Sequence, residues 1–122
     1  MFVIVAEILL IHRLLQTHGL AFFIVPFLSI VVEKTAYLKR VLRGSPLLVQ
    51  GLHQGSRGLS PSCNICVCTI ERANGLINRM IEMETISRLS CVICDELQLV
   101  GEDRGQTLEC LLTKLMFCNE SV

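Results

Sequence analysis

Cys91-Val92-Ile93-Cys94-Asp95-Glu96-Leu97-Gln98 is the stretch on which the fold turns. An apolar run stops abruptly at two adjacent carboxylates. A buried parallel strand has this pattern when it delivers acids to the carboxyl edge of a sheet, where α/β folds place their chemistry. The segments around it fit the same plan. Ile65–Thr69 and Ala21-Phe22-Phe23-Ile24-Val25 are short and apolar, and Pro26 stops the second. Leu47-Leu48-Val49 is a further candidate strand.

Helical periodicity separates these strands. Residues 5–16 carry Ile8, Leu9, Ile11, Leu14 and Leu15 on one stripe, ended by His18-Gly19. Ser29 can cap a helix running to about Arg43, with Val32, Ala36, Leu38, Val41 and Leu42 inward and Glu33, Lys34, Lys39 and Arg40 solvated. Residues 73–83 place Leu76, Ile77, Met80 and Ile81 inward, with Ile86 following. Residues 107–117 form a last amphipathic segment with Leu108, Leu111, Leu112, Leu115 and Met116 on one side. Residues 51–62 are rich in Gly, Ser and Pro and read as loop. Strands alternating with helices predict an α/β fold with a parallel sheet and right-handed crossovers.

Composition bounds the function. The chain has 122 residues, enough for one small domain with a core. Its formal net charge is zero, so nucleic-acid binding has to come from local groups. Hydrophobic residues make up 52% and charged ones 18%, a balance suited to buried parallel strands. The apolar run at 20–32 is about 13 residues long and holds Pro26 and Ser29, short of the roughly 20 that span a bilayer. Glu7 interrupts the first apolar run and no basic region precedes it, which argues against a secretory leader. A chain without an export signal keeps its seven cysteines as thiols.

Two readings of Asp95-Glu96 follow. Acids commonly end strands at solvated turns. Alternatively, the pair is a Walker B arrangement, in which the Asp holds Mg²⁺ through water and the Glu orients the attacking water. The cysteines raise a third chemistry. Cys63-x-x-Cys66 and Cys91-x-x-Cys94 give C-x2-C-x24-C-x2-C, a spacing seen in zinc sites. Yet residues three apart on a strand face opposite sides of the sheet, and no Gly beside Val92-Ile93 permits a knuckle. The cysteines therefore read as core thiols, not zinc ligands. His12, His18 and His53 form no spacing motif.

Longer stretches carry a resemblance. Thr69-Ile70-Glu71-Arg72-Ala73-Asn74-Gly75-Leu76-Ile77-Asn78-Arg79 resembles the helicase domain of theta-type DNA polymerases, in superfamily 2. So do Asp95-Glu96-Leu97, Val100-Gly101-Glu102, Arg104-Gly105 and the segment Leu108-Glu109-x-Leu111-Leu112-Thr113-Lys114. Upstream, Val25-Pro26-Phe27-Leu28-Ser29-Ile30-Val31-x-Glu33-Lys34 and Val5-Ala6-Glu7-Ile8-Leu9-Leu10 are similar to the same domain in the same order. The related helicases without a polymerase half are a second match.

The resemblance implies a partial first RecA-like (P-loop NTPase) lobe of the DEAD/DEAH-box kind over residues 1–122, from a nuclear, ATP-dependent DNA helicase of double-strand-break repair. It implies Asp95 as the Mg²⁺ ligand, through water, and Glu96 as the residue activating water, with Leu97 and Gln98 continuing Walker B. ATP and Mg²⁺ are the implied cofactors. Pro26, Phe27 and Ser29, then Thr69, Glu71 and Arg72, correspond to the loops that grip single-stranded or damaged DNA, and the rest of the helicase core is the implied protein partner. Residue by residue, Ser29 and Thr69 also fit helix caps, and Arg72 and Arg79 fit a solvated face.

The chain departs from that pattern in places. Met1-Phe2-Val3-Ile4 stands where the P-loop is expected, so no Gly-Lys-Thr cradles the phosphates. The Ser-Ala-Thr motif and second lobe, with its arginine finger, are also not found, and Gln98 stands where His is usual. The expectation is that this polypeptide alone does not hydrolyse ATP. The alternatives are a non-catalytic nucleic-acid-binding or regulatory remnant, and a zinc-binding protein.

Overall fold

The computed structural model describes residues 12, 19–52 and 58–94, with isolated positions at 105, 106, 109 and 113. Four strands, β1 (Leu20–Val25), β2 (Val49–Gly51), β3 (Ile65–Thr69) and β4 (Leu89–Cys94), form one sheet in the order β2-β3-β1-β4. Every pairing is parallel. Two helices complete the described elements, α1 (Leu28–Val41) and α2 (Ile70–Glu82), and a short 3-10 turn, Ile86–Arg88, precedes β4. The structure is thus α/β with an all-parallel sheet, as the alternation of periods predicts. The helices expected at 5–16 and 107–117 lie outside the described residues, apart from single positions within or beside them.

The sheet has a core on each face, and strand alternation sorts the residues between them. Leu20, Phe22 and Ile24 of β1 join Cys66 and Cys68 of β3 beneath Ile70, Ala73, Ile77 and Met80 of α2. Ala21, Phe23 and Val25 join Ile65 and Val67 beneath Val31, Leu38 and Leu42 on and after α1. All six residues of β1 are buried, which is why its sequence, Leu-Ala-Phe-Phe-Ile-Val, has no alternation. Burying each of its two phenylalanines contributes about 1.5–3 kcal/mol.

Several sequence expectations shift. Ser29 does not cap α1. The N-cap is Phe27, and Ser29 sits exposed inside the first turn. The inward face is Val31, Leu38 and Leu42, whereas Val32 and Val41 are more than half exposed and Ala36 is exposed. The difference is one of helical phase. Apolar residues occupy both flanks of this helix, so composition does not fix its rotation, and the strands beneath do. Lys34 was expected in solvent but is half-buried, its Nζ 5.0 Å from the ring centroids of both Phe23 and Tyr37. That cation–π placement lets the stem pack while the charge stays favourable. β2 falls two residues later than expected, at Val49–Gly51, because Leu48 is exposed and its N–H is taken by the Asn64 side chain. α2 begins at Ile70, three residues earlier than expected, directly from the end of β3.

α1 ends at a turn in which Gly44 adopts φ +89°, a conformation open to glycine at little cost. No helix among the described residues is long and apolar enough to cross a membrane.

Candidate functional site

The register fixes which chain segments meet. Val25 at the end of β1 pairs with Thr69 at the end of β3, and Cys94 at the end of β4 pairs with Ile24. Pro26-Phe27 and Ile70-Glu71-Arg72 therefore leave the sheet side by side at its carboxyl edge. They then diverge. From β1 the chain runs through α1 on one face towards β2, beyond β3. From β3 it runs through α2 on the other face towards β4, beyond β1. Neighbouring strands whose connections depart in opposite directions mark a topological switch point, and open α/β sheets bind ligands in the crevice outside it.

The candidate residues occupy that crevice in different ways. Pro26 is buried and sets the exit from β1, while Phe27 is 46% exposed. Ser29 is exposed on the first turn of α1. Thr69 is buried to within 9% and is the N-cap of α2, yet its hydroxyl makes no capping bond. Glu71 is exposed in the first turn of α2, and Arg72 beside it is half-buried. The two helices thus open at the same sheet edge without a side chain capping either. The positive end of each helix dipole therefore faces this edge, which favours anions. Ser29 and Arg72 are not brought onto one surface, because they rise on opposite faces of the sheet. Asp95, Glu96, Leu97 and Gln98 lie outside the described residues, and Cys94 before them is the last described residue of β4.

Behind the edge the cysteines are core thiols. Cys66 and Cys68 share one face of β3, and Cys94 packs against that same cluster, whereas Cys91 packs on the opposite face. The second C-x-x-C pair is therefore split by the sheet, as strand geometry requires. Among the described residues no group of His, Cys, Asp and Glu could hold a metal ion. Burial, with Cys66 nearby, pushes the Cys63 thiol up from 9.0 to about 12, and that thiol donates to the Ile65 carbonyl at 3.1 Å. A hydrogen bond with Cys68, then burial, raises Cys66. Arg72 acts weakly against that rise, which sets the guanidinium within electrostatic reach of this core. Burial also raises Cys94. These thiols are held as S–H groups and are poor nucleophiles.

No protein-family model matches the chain. Individual proteins do. DNA polymerase theta of Mus musculus is 45% identical over 93% of this chain. Helicase POLQ-like of Homo sapiens is 33% identical over 97% of it. The chain is homologous to a segment of these theta and POLQ-like helicases. ATP-dependent DNA helicase Hel308 of Thermococcus kodakarensis is 29% identical over 93% of the chain. The chain spans 5%, 11% and 10% of these three relatives. Nearly all of it aligns both with a protein named as a polymerase and with proteins named only as helicases, so the shared segment is helicase-like.

Proposed function

We propose that this chain is part of the first RecA-like, ATP-binding lobe of an ATP-dependent DNA helicase of the theta and POLQ-like kind, and that its carboxyl edge grips single-stranded or damaged DNA. The observation that carries this reading is the pairing of Val25 with Thr69, which sets Pro26-Phe27 beside Thr69-Glu71-Arg72 at a switch point. The Ser29 and Thr69 hydroxyls suit phosphate oxygens, the Arg72 guanidinium supplies charge, and the exposed Phe27 ring suits a base face. None of these groups reads a base edge, so binding would be independent of sequence. In this reading the chain works in the nucleus, in double-strand-break repair, beside the remaining helicase core.

Asp95 and Glu96 have the donor chemistry for Mg²⁺, a hard cation that favours carboxylate oxygen through water. In the proposed role Asp95 holds the ion and Glu96 orients water, with Leu97-Gln98 continuing the motif. The fit to a nucleotide is incomplete, since the 122 residues contain no Gly-Lys-Ser/Thr cradle for its phosphates. Positioning and charge stabilisation supply nearly all of phosphoryl-transfer catalysis. The chain by itself is therefore proposed not to hydrolyse ATP. DNA-stimulated phosphate release from the purified chain, abolished by Glu96→Gln, would overturn that.

The DNA reading is tested by fluorescence anisotropy of a labelled oligothymidylate with the 122-residue chain. Arg72→Ala should weaken binding severalfold and lower the salt dependence by about 0.7, the value for one phosphate contact to a single strand. Binding that is unchanged in Arg72→Ala and in Thr69→Val sinks the proposal.

A further inference from the structure

The zero net charge conceals an uneven distribution. Between Glu33 and Glu71 the sequence has no acid, yet it carries Lys34, Lys39, Arg40, Arg43 and Arg57. The fold concentrates three of these. Lys39 and Arg40 are exposed in the last turn of α1, and Arg43 is exposed in the turn after it. α1 runs back across the sheet from the carboxyl edge, so this basic end lies at the opposite, amino edge. The corresponding end of α2 differs, carrying the exposed acids Glu82 and Glu84 beside Arg79. Among the described residues, this acid-free positive patch lies at the end of α1.

The outer side of α1 connects the two edges. Leu28 and Val32 are 45% and 57% exposed, and Ala36 is exposed one turn further on. Lys39 falls seven residues after Val32 and eleven after Leu28, spacings that return to the same stripe of a helix. Arg40 lies beside it, and Glu33 is the only acid on the helix. The stripe starts at Phe27, at the mouth of the crevice, and ends about 20 Å away at the cations. One or two basic residues suffice to complement a helix C-terminus. The acid-free run exceeds that need, and its sign matches a polyanion.

We infer that Lys39, Arg40 and Arg43 form a second, sequence-independent phosphate-binding patch, which holds the continuation of a DNA strand whose other part lies at the Pro26–Phe27 and Thr69–Arg72 edge. The inference rests on the proposed DNA-binding role and extends it, from a crevice at one edge to a track along α1. Backbone contacts of this kind raise affinity and position the strand without reading its sequence.

Anisotropy with oligothymidylates of about 6 and about 16 nucleotides, lengths spanning common single-strand sites, tests it. The variant Lys39→Gln/Arg40→Gln/Arg43→Gln should bind the short oligonucleotide like the parent chain. It should bind the long one roughly tenfold more weakly, with a salt slope smaller by about 2. Glu82→Gln/Glu84→Gln, which raises net charge elsewhere, should leave both affinities unchanged. Equal long-oligonucleotide affinity and slope in parent and triple variant overturn the patch. So does a patch that captures a poly-glutamate peptide and no DNA. Loss of long-strand binding in the triple variant with no effect of Arg72→Ala supports the patch and refutes the edge loops.

Discussion

The Asn64 side chain ties Gly19 to Leu48 across the start of the sheet. Its Nδ2 donates to the Gly19 carbonyl at 3.3 Å, and its Oδ1 accepts from the Leu48 N–H at 3.0 Å. Three strands thus begin in register through one amide. Asn64→Ala removes both bonds and should lower stability by about 1–2 kcal/mol, read as a lower urea midpoint at constant m-value. Asn64→Asp keeps the acceptor and should lose less.

Gly51 closes β2 against α1. A Cβ there would fall onto the Thr35 side chain, with the Thr35 Cβ only 3.1 Å away. Thr35 has little room to yield, since its hydroxyl donates to the Val31 carbonyl at 2.6 Å. Gly51→Ala should cost about 1–3 kcal/mol through overpacking. Adding Thr35→Ala should recover part of that cost. A double-mutant cycle that came out additive would contradict the contact.

The last turn of α2 stores a small strain. Glu84 follows it with φ 57°, the left-handed conformation that glycine adopts freely. It is exposed, and Thr85 N–H bonds back to the Met80 carbonyl at 2.8 Å to close the helix. Glu84→Gly should raise thermal stability by up to about 1 kcal/mol, since relief of the strain exceeds the added freedom of the unfolded chain. A lower melting temperature would refute this.

Cys63 gives stability a dependence on alkaline pH. In the unfolded chain its thiol ionises near 9.0, while in the fold it keeps its proton to about 12. The folded pKa is the higher of the two, so the contribution is complete below pH 9 and declines as pH rises towards 12. Cys66 and Cys94 are raised in the same sense. Denaturation midpoints should fall across that window, and Cys63→Ala should flatten the fall.

Ser29 separates structure from binding. Being inside the first turn and not at the cap, it should tolerate Ser29→Ala with a stability change below about 0.5 kcal/mol. Oligothymidylate affinity should drop in the same variant. A loss of about 1 kcal/mol in stability with full DNA affinity would instead make it a cap.

Much of this was legible in the residues. β3 matches its expected bounds at Ile65–Thr69, and β1 and β4 each begin only one or two residues earlier than expected. Uninterrupted apolar runs leave little choice for strands buried on both faces. The split of Cys91 from Cys94 followed from strand parity alone. The rotation of α1 was not legible, because Val31, Val32, Leu38, Val41 and Leu42 supply hydrophobes in more than one direction. Nor was the switch point. It depends on β1 lying between β3 and β4, and strand order is a property of long-range pairing that no local pattern encodes. The basic patch had a signal in the acid-free run between Glu33 and Glu71, visible only when charge is read by segment and not by total.

The central place of β1 also governs when the sheet can assemble. Both neighbours of this strand come later in the chain, Ile65 pairing with Ala21 and Leu89 with Leu20. A nascent polypeptide emerges in sequence order, so Leu-Ala-Phe-Phe-Ile-Val leaves the ribosome before either partner strand does. Until Cys94 has been made, six apolar residues with no charge and no proline present at least one unpaired edge. Such a segment is a template for cross-β association. Yield in cells should therefore depend on chaperone supply and translation speed more than on the stability of the finished sheet.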